Sequence, residues 1–186
     1  QDVEATLPHR PDGYVLPKAS SPDAVRVVAE HLRGLGSGSL PRLVPILTED
    51  VVGVFAAGLT MVADELVEDV MWGSEDLSAS LGARRVKDER GELLDVFAFV
   101  RSQVLLEARR RGRRAVDTPY LAIKDLEGLR REALRVAWMG YSGKQAIHPD
   151  HVPVINEAFL PDDAELKAAR QLVAEFEKGG AVVALR

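Results

Sequence analysis

Arg42-Leu43-Val44-Pro45-Ile46-Leu47-Thr48-Glu49-Asp50 is the stretch from which the architecture is read. Its first five residues are a short apolar run, the pattern of a strand buried on both faces of a parallel sheet. Carboxylates stand where the run ends, and residues 50–66 carry helical spacing. Strand, acidic tip and helix form a unit that recurs along the chain. Upstream, residues 13–18 are a strand candidate with Gly and Pro flanks, Ser21-Pro22-Asp23 opens a helix through Leu32, and residues 34–39 are a glycine and serine loop. Downstream, residues 68–73 give a third strand, a polar loop follows, and residues 93–111 place apolar side chains at helical spacing. The pattern continues with a strand at 114–117, a helix at 126–139 and a strand at 143–148. A helix at 162–178 has Asp162 as N-cap, and residues 181–185 close as a strand.

Six strand-then-helix steps without a tandem run of strands predict an α/β fold with a parallel sheet, either doubly wound or closed into a barrel. A doubly wound dinucleotide fold wants a glycine fingerprint after its first strand, and Leu16-Pro17-Lys18-Ala19-Ser20 carries none. The expectation is therefore a (β/α)8 TIM barrel. Such a barrel takes about 250 residues. The 186 residues present are accordingly expected to form a single barrel domain over 1–186 with about six of eight units. Strands 1 and 2 and the C-terminal tail are expected to be missing.

Composition narrows the function classes. With 46% hydrophobic and 28% charged residues, the chain has the balance of one soluble core. A net charge of -5 with interspersed signs creates no field that draws nucleic acid or an anionic membrane, so neither is an expected partner. The lack of cysteine excludes thiol catalysis, disulfides and thiolate-held zinc. No apolar run is long enough to span a bilayer, no signal peptide is recognisable, and the cytoplasm is the expected compartment.

Barrel enzymes work at the carboxyl ends of their strands, so the side chains that follow each strand are the candidates. Thr48-Glu49-Asp50 and Gly73-Ser74-Glu75-Asp76 are two such tips, Asp117 ends a third, His148 a fourth, Lys18 ends the first strand, and Lys144 lies inside a later one. Hard oxygen donors on neighbouring tips suit Mg2+, which takes one or two protein carboxylates and fills its shell with water and substrate oxygens. Glu49 and Asp76 fit that pattern. Each residue has a plainer alternative. Acids at 49, 50 and 76 are also what a helix N-terminus favours, Asp117 beside Thr118 reads equally as a cap, and His148 before Pro149 as a loop residue. The basic run from Arg109 to Arg114 sits at a helix carboxyl end, where cations complement the dipole on a solvated face.

Five separated motifs then occur in one order. They are Val44-Pro45-Ile46-Leu47-Thr48-Glu49, Trp72-Gly73-Ser74-Glu75-Asp76-Leu77-Ser78-Ala79, Ala115-Val116-Asp117-Thr118-Pro119-Tyr120, Asp125-Leu126-Glu127-Gly128-Leu129-Arg130 and Gly143-Lys144-Gln145-Ala146-Ile147-His148-Pro149. With them, residues 12–185 resemble the citrate lyase beta-subunit-like family, which includes malyl-CoA and citramalyl-CoA lyases. The resemblance implies a barrel in which Glu49 and Asp76 hold Mg2+ and act in catalysis, and in which the Ile147-His148-Pro149 turn lines the site of coenzyme A. It implies cleavage of a 3-hydroxyacyl-CoA thioester to acetyl-CoA or propionyl-CoA and a 2-oxo acid, in a homo-oligomer, trimer or hexamer. A malyl-CoA thioesterase, a pyruvate-type aldolase and a catalytically silent assembly paralogue are the alternatives. Relatives carry a substrate arginine on the second strand and a catalytic acid on the tail, and neither has a counterpart in this chain. Asp50 stands where many relatives have threonine, an extra carboxylate expected to retune the metal or the pocket.

Overall fold

The computed structural model describes residues 2–35 and 39–177. Five strands are seen there: β1 (Gly13–Leu16), β2 (Arg42–Pro45), β3 (Asp69–Met71), β4 (Arg114–Asp117) and β5 (Gly143–Lys144). β1 pairs with β2, and β3, β4 and β5 pair in that order, all in parallel. Parallel bridges at Leu43–Val67 and Ile46–Met71 join the two pieces. Across that seam Leu43 N–H donates to Leu66 O at 2.8 Å and Leu47 N–H to Met71 O at 2.9 Å. The strands therefore lie side by side in chain order. A doubly wound sheet reverses its order at a switch point, and none occurs here. The array has the strand order of a barrel wall, and among the described residues it does not close. The strand expected at 181–185 lies outside the described residues, as do residues 36–38 of the expected loop and Lys178 of the last helix.

Around the sheet stand α1 (Asp2–Thr6), a 3-10 turn (Leu7–His9), α2 (Pro22–Leu35), α3 (Val51–Thr60), α4 (Glu75–Leu81), α5 (Asp95–Arg110), α6 (Leu126–Met139), α7 (His151–Ala158) and α8 (Asp163–Glu177). Helical periodicity explains how they seat. In α2, Val25, Ala29 and Leu32 recur on one face and are fully buried, and in α5 the buried face is Phe97, Val100, Val104 and Ala108. These side chains meet Leu43, Leu47, Val70 and Trp72 from the sheet in one core. At the end of α6, Gly140 takes φ 101°, which allows Tyr141 N–H to close on Val136 O at 3.0 Å. No helix among the described residues is long and apolar enough to cross a membrane.

Several boundaries differ from expectation for identifiable reasons. The helix expected over 50–66 stops at Thr60, because Asp64 accepts the Leu66 N–H at 3.0 Å and a bidentate grip from Arg33 at 2.7 and 2.9 Å, which turns the chain. Gly34 belongs to the last turn of α2 and not to the loop. The polar loop after β3 holds α4, and the stretch after β5 holds α7, while β5 itself spans two residues of the six expected. Asp162 caps α8 as anticipated. It accepts the Glu165 N–H at 2.8 Å, and the Glu165 carboxylate accepts the Asp162 N–H at 2.9 Å, a reciprocal capping box.

Candidate active site

The carboxyl ends of β1, β2 and β3 converge on Glu49. Lys18, just after β1, takes the left-handed conformation at φ 54°, sparsely populated for a residue with a side chain. That turn aims the Lys18 backbone N–H at Glu49 Oε2, and the two form a close hydrogen bond. From the other side, Gly73 after β3 leaves the room that Glu49 fills. A methyl group at Gly73 would stand 2.7 Å from Glu49 Cγ. Asp76, in the first turn of α4, stands near enough to the Glu49 carboxylate to act on its charge. Partial burial, together with that second carboxylate, pushes Glu49 above the usual carboxylate range, while the Lys18 N–H favours its charged form.

Asp50 and Glu49 part ways. The Asp50 carboxylate accepts the Ser20 hydroxyl at 2.5 Å and, as N-cap of α3, the Gly53 N–H at 2.6 Å. These bonds hold it below its ordinary pKa. It is engaged in structure, so the capping alternative applies to Asp50 and not to Glu49. The pair that remains fits Mg2+: two hard, adjacent oxygen donors, one fixed by a backbone N–H and one on a helix tip. Among the described residues no group of three potential metal ligands gathers.

Below this pair lies a charge network that sequence alone does not disclose. Asp117, 1% exposed, accepts Trp72 Nε1–H at 2.6 Å and Lys144 Nζ at 2.6 Å. Lys144 also donates to Thr118 O at 2.7 Å and to Glu132 Oε1 at 2.6 Å. Asp117 is thus neither a cap nor a reactive tip. It and Lys144 form a fully desolvated ion pair in which every partner is hydrogen-bonded, the condition under which such a pair is tolerated. Burial raises the Glu132 carboxyl, but Lys144 and Lys87 outweigh it and hold the group below its ordinary pKa. Lys87 closes on Glu132 Oε2 and lies 4.6 Å from the centre of the Tyr120 ring. Burial and the bond to Asp125 push the Tyr120 phenol up to about 12. The network fixes Thr118, whose hydroxyl shares a 3.2 Å hydrogen bond with Ser74 beside the acidic pair. Lys144 was visible in sequence as a charge inside a strand. Glu132, its helical partner, was not.

Ile147, His148 and Pro149 follow β5 in the turn that leads into α7. Ile147 and Pro149 are exposed and His148 is half-buried. The hydrogen bond of His148 is local, to the Asp150 N–H at 3.2 Å, and its ring centre lies 6.0 Å from that of His151. The turn therefore faces solvent. The basic run is largely exposed, as expected, with Arg109, Arg110 and Arg114 on the surface, and several of its side chains also reach neighbouring elements. Arg109 donates to Gly140 O and Arg111 to Gly58 O, while Arg114 forms a bidentate pair with Asp69 at 2.7 and 2.8 Å, tying the end of α5 to its neighbours.

Similarity to known proteins agrees with this geometry. The chain is 31% identical over 194 residues to citramalyl-CoA lyase, mitochondrial, of Homo sapiens, an alignment covering 96% of this chain and 55% of that protein. It is 36% identical over 174 residues to the citrate lyase subunit beta-like protein of Mycobacterium tuberculosis, covering 94% of this chain and 59% of that one. The chain thus spans little more than half the length of these relatives. The crystal structure of CitE from Mycobacterium tuberculosis in complex with magnesium, acetoacetate and coenzyme A superposes with a TM-score of 0.80 at 32% identity, over 100% of this chain and 65% of that one. The family model of the HpcH/HpaI aldolase/citrate lyase group matches residues 1–149, and the chain belongs to that family.

Proposed function

We propose that the protein of which these residues form the acidic half of a site is a Mg2+-dependent carbon–carbon lyase. Its substrate would be a 3-hydroxyacyl-CoA of the citryl, malyl or citramalyl type, released as acetyl-CoA or propionyl-CoA and a 2-oxo acid. The observation that carries this is the convergence of Glu49 and Asp76 at adjacent strand tips, in a space that exists because residue 73 has no side chain. When bound there, Mg2+ would supply a Lewis acid and template for the substrate's carboxylate and hydroxyl oxygens. The protein's own contribution is placement. The Lys18 N–H orients Glu49, α4 presents Asp76, and the Lys144 network keeps Thr118 and Ser74 in register beside them. Preorganisation of this kind is what lets fixed groups act without reorganising during reaction.

Ile147, His148 and Pro149 are proposed to line the coenzyme A site, for which their solvent-facing turn offers access. An eight-unit barrel with six units in this chain, a homo-oligomeric assembly and a cytosolic location belong to the same proposal. The test is Mg2+ titration of the full-length protein and turnover of a panel of 3-hydroxyacyl-CoA esters. Glu49→Ala and Asp76→Ala are expected to lose Mg2+ binding and turnover together. Unchanged turnover in either variant refutes the assignment. Release of free CoA from malyl-CoA without a 2-oxo acid replaces the lyase with a thioesterase.

A further inference from the structure

Between the loop at 84–94, α5 and α6 lies a cavity of about 130 Å3 with four arginines in its wall: Arg90, Arg101, Arg131 and Arg135. Its acids are Glu92 and Glu132, and both are committed. Glu92 pairs with Arg135, and Glu132 with Lys87 and Lys144. Arg101 is the buried member. It is 6% exposed, its Nε has no hydrogen-bond partner, and among the described residues its guanidinium forms no ion pair. It rides on the same face of α5 as Phe97, Val100 and Val104, which carries it inward. Arg90 and Arg131 are exposed, and neither side chain makes a hydrogen bond or ion pair with a described residue, although Arg131 feels the charge of Asp125 at longer range.

A guanidinium removed from water without a counter-charge is costly to fold around, so a cavity that places one beside two further uncommitted guanidiniums is built for an anion. Charge selects among anions. A single carboxylate would leave two of the three cations unmatched, whereas a phosphoryl dianion brings three acceptor oxygens, each suited to the arginine fork. Size agrees, since the space takes one tetrahedral group and is too small to enclose a nucleotide. We propose that this cavity is a phosphoryl-binding site, with Arg101 at its base and Arg90 and Arg131 at its mouth. Neither Glu49 nor Asp76 lines it, and Glu132 in its wall is bonded to Lys144 of the buried network. The phosphoryl group has two sources, a free phosphate or phosphate ester and the 3′-phosphate of a CoA thioester.

The test is calorimetric titration and thermal unfolding of the protein with inorganic phosphate, against potassium chloride at matched ionic strength. Saturable binding and a phosphate-specific rise in Tm are expected, following mass action. Arg131→Gln, at an exposed position, is expected to weaken phosphate at least about tenfold with the starting Tm unchanged. Arg101→Met is expected to abolish the phosphate-dependent rise while keeping or raising the Tm without phosphate, because an unmatched buried charge is gone. Should that variant fail to fold, Arg131→Gln decides alone. Absence of phosphate binding in the parent protein, or its retention within about twofold in the folded variants, overturns the proposal. Displacement of phosphate by CoA at least about tenfold more tightly than by dephospho-CoA assigns the site to the 3′-phosphate; equal or absent competition assigns it to a free phosphate. Both results sustain the site.

Discussion

Replacing Gly73 by alanine puts a methyl group where Glu49 already stands. The new Cβ would lie 2.7 Å from Glu49 Cγ, and ordinary contact begins at 3.4 Å, so the Cγ must retreat by ~0.7 Å. Backbone strain does not arise, because Gly73 is not among the residues with positive φ. Pushing Glu49 off its rotamer costs about 0.5–1.5 kcal/mol, and the stiffer unfolded chain returns about 0.4–1 kcal/mol. The two nearly cancel, and the urea midpoint is expected to move by less than about 1 kcal/mol equivalent. Metal coordination is far less forgiving. Ligand distances hold to about 0.2 Å, so a shift of ~0.7 Å takes one of two carboxylates out of reach, and Mg2+ affinity should fall about 10–100-fold. Calorimetric titration with MgCl2 beside urea unfolding reads both quantities. Unaltered Mg2+ affinity in a folded Gly73→Ala protein would refute the claim that Gly73 exists to seat Glu49.

Two further outcomes follow from groups away from the acidic pair. Lys144→Met leaves Asp117, 1% exposed, as a buried carboxylate without its cation; the expected loss is about 3–5 kcal/mol by urea unfolding, partly restored by adding Asp117→Asn, and a loss below about 1 kcal/mol would contradict the network's role. Arg33 holds Asp64 below its ordinary pKa of 3.8 through its hydrogen bonds. A depressed folded-state value means that this contribution is present above pH 3.8 and is lost as the pH falls through the lower folded-state value. Arg33→Gln is therefore expected to destabilise the protein at pH 7 while converging with the parent in strong acid, and parallel pH–stability curves would count against it.

Much of the fold was legible because parallel strands buried on both faces leave continuous apolar runs, and the helices between them leave period. The helix at Leu126–Met139 falls where periodicity placed it, since an Asp cap and a terminal glycine punctuate both ends. What escaped were short elements stabilised by tertiary contact. α4 is seven residues with two serines, held by the burial of Leu77, and α7 carries Pro153 in its first turn. Neither has enough local signal to outweigh a loop. In the site, the acids at strand tips were readable from position alone, but which acid caps and which faces its neighbour was not. Glu49 and Asp50 are adjacent and chemically alike, and the choice depends on Ser20 and Lys18, some thirty residues upstream. The Lys144–Glu132 bond and the unmatched Arg101 are likewise products of packing between a strand and helices.

Of the two tryptophans, Trp72 is fully buried and Trp138 is 78% exposed. Trp138 already emits into water and changes little when the chain opens, so a shift in intrinsic fluorescence belongs almost entirely to Trp72. That indole is hydrogen-bonded to Asp117 and precedes Gly73 in the chain. The protein thus contains its own optical probe at the floor of the acidic pair, and a spectrum that reddens while helical signal persists will report loosening there before the rest of the molecule gives way.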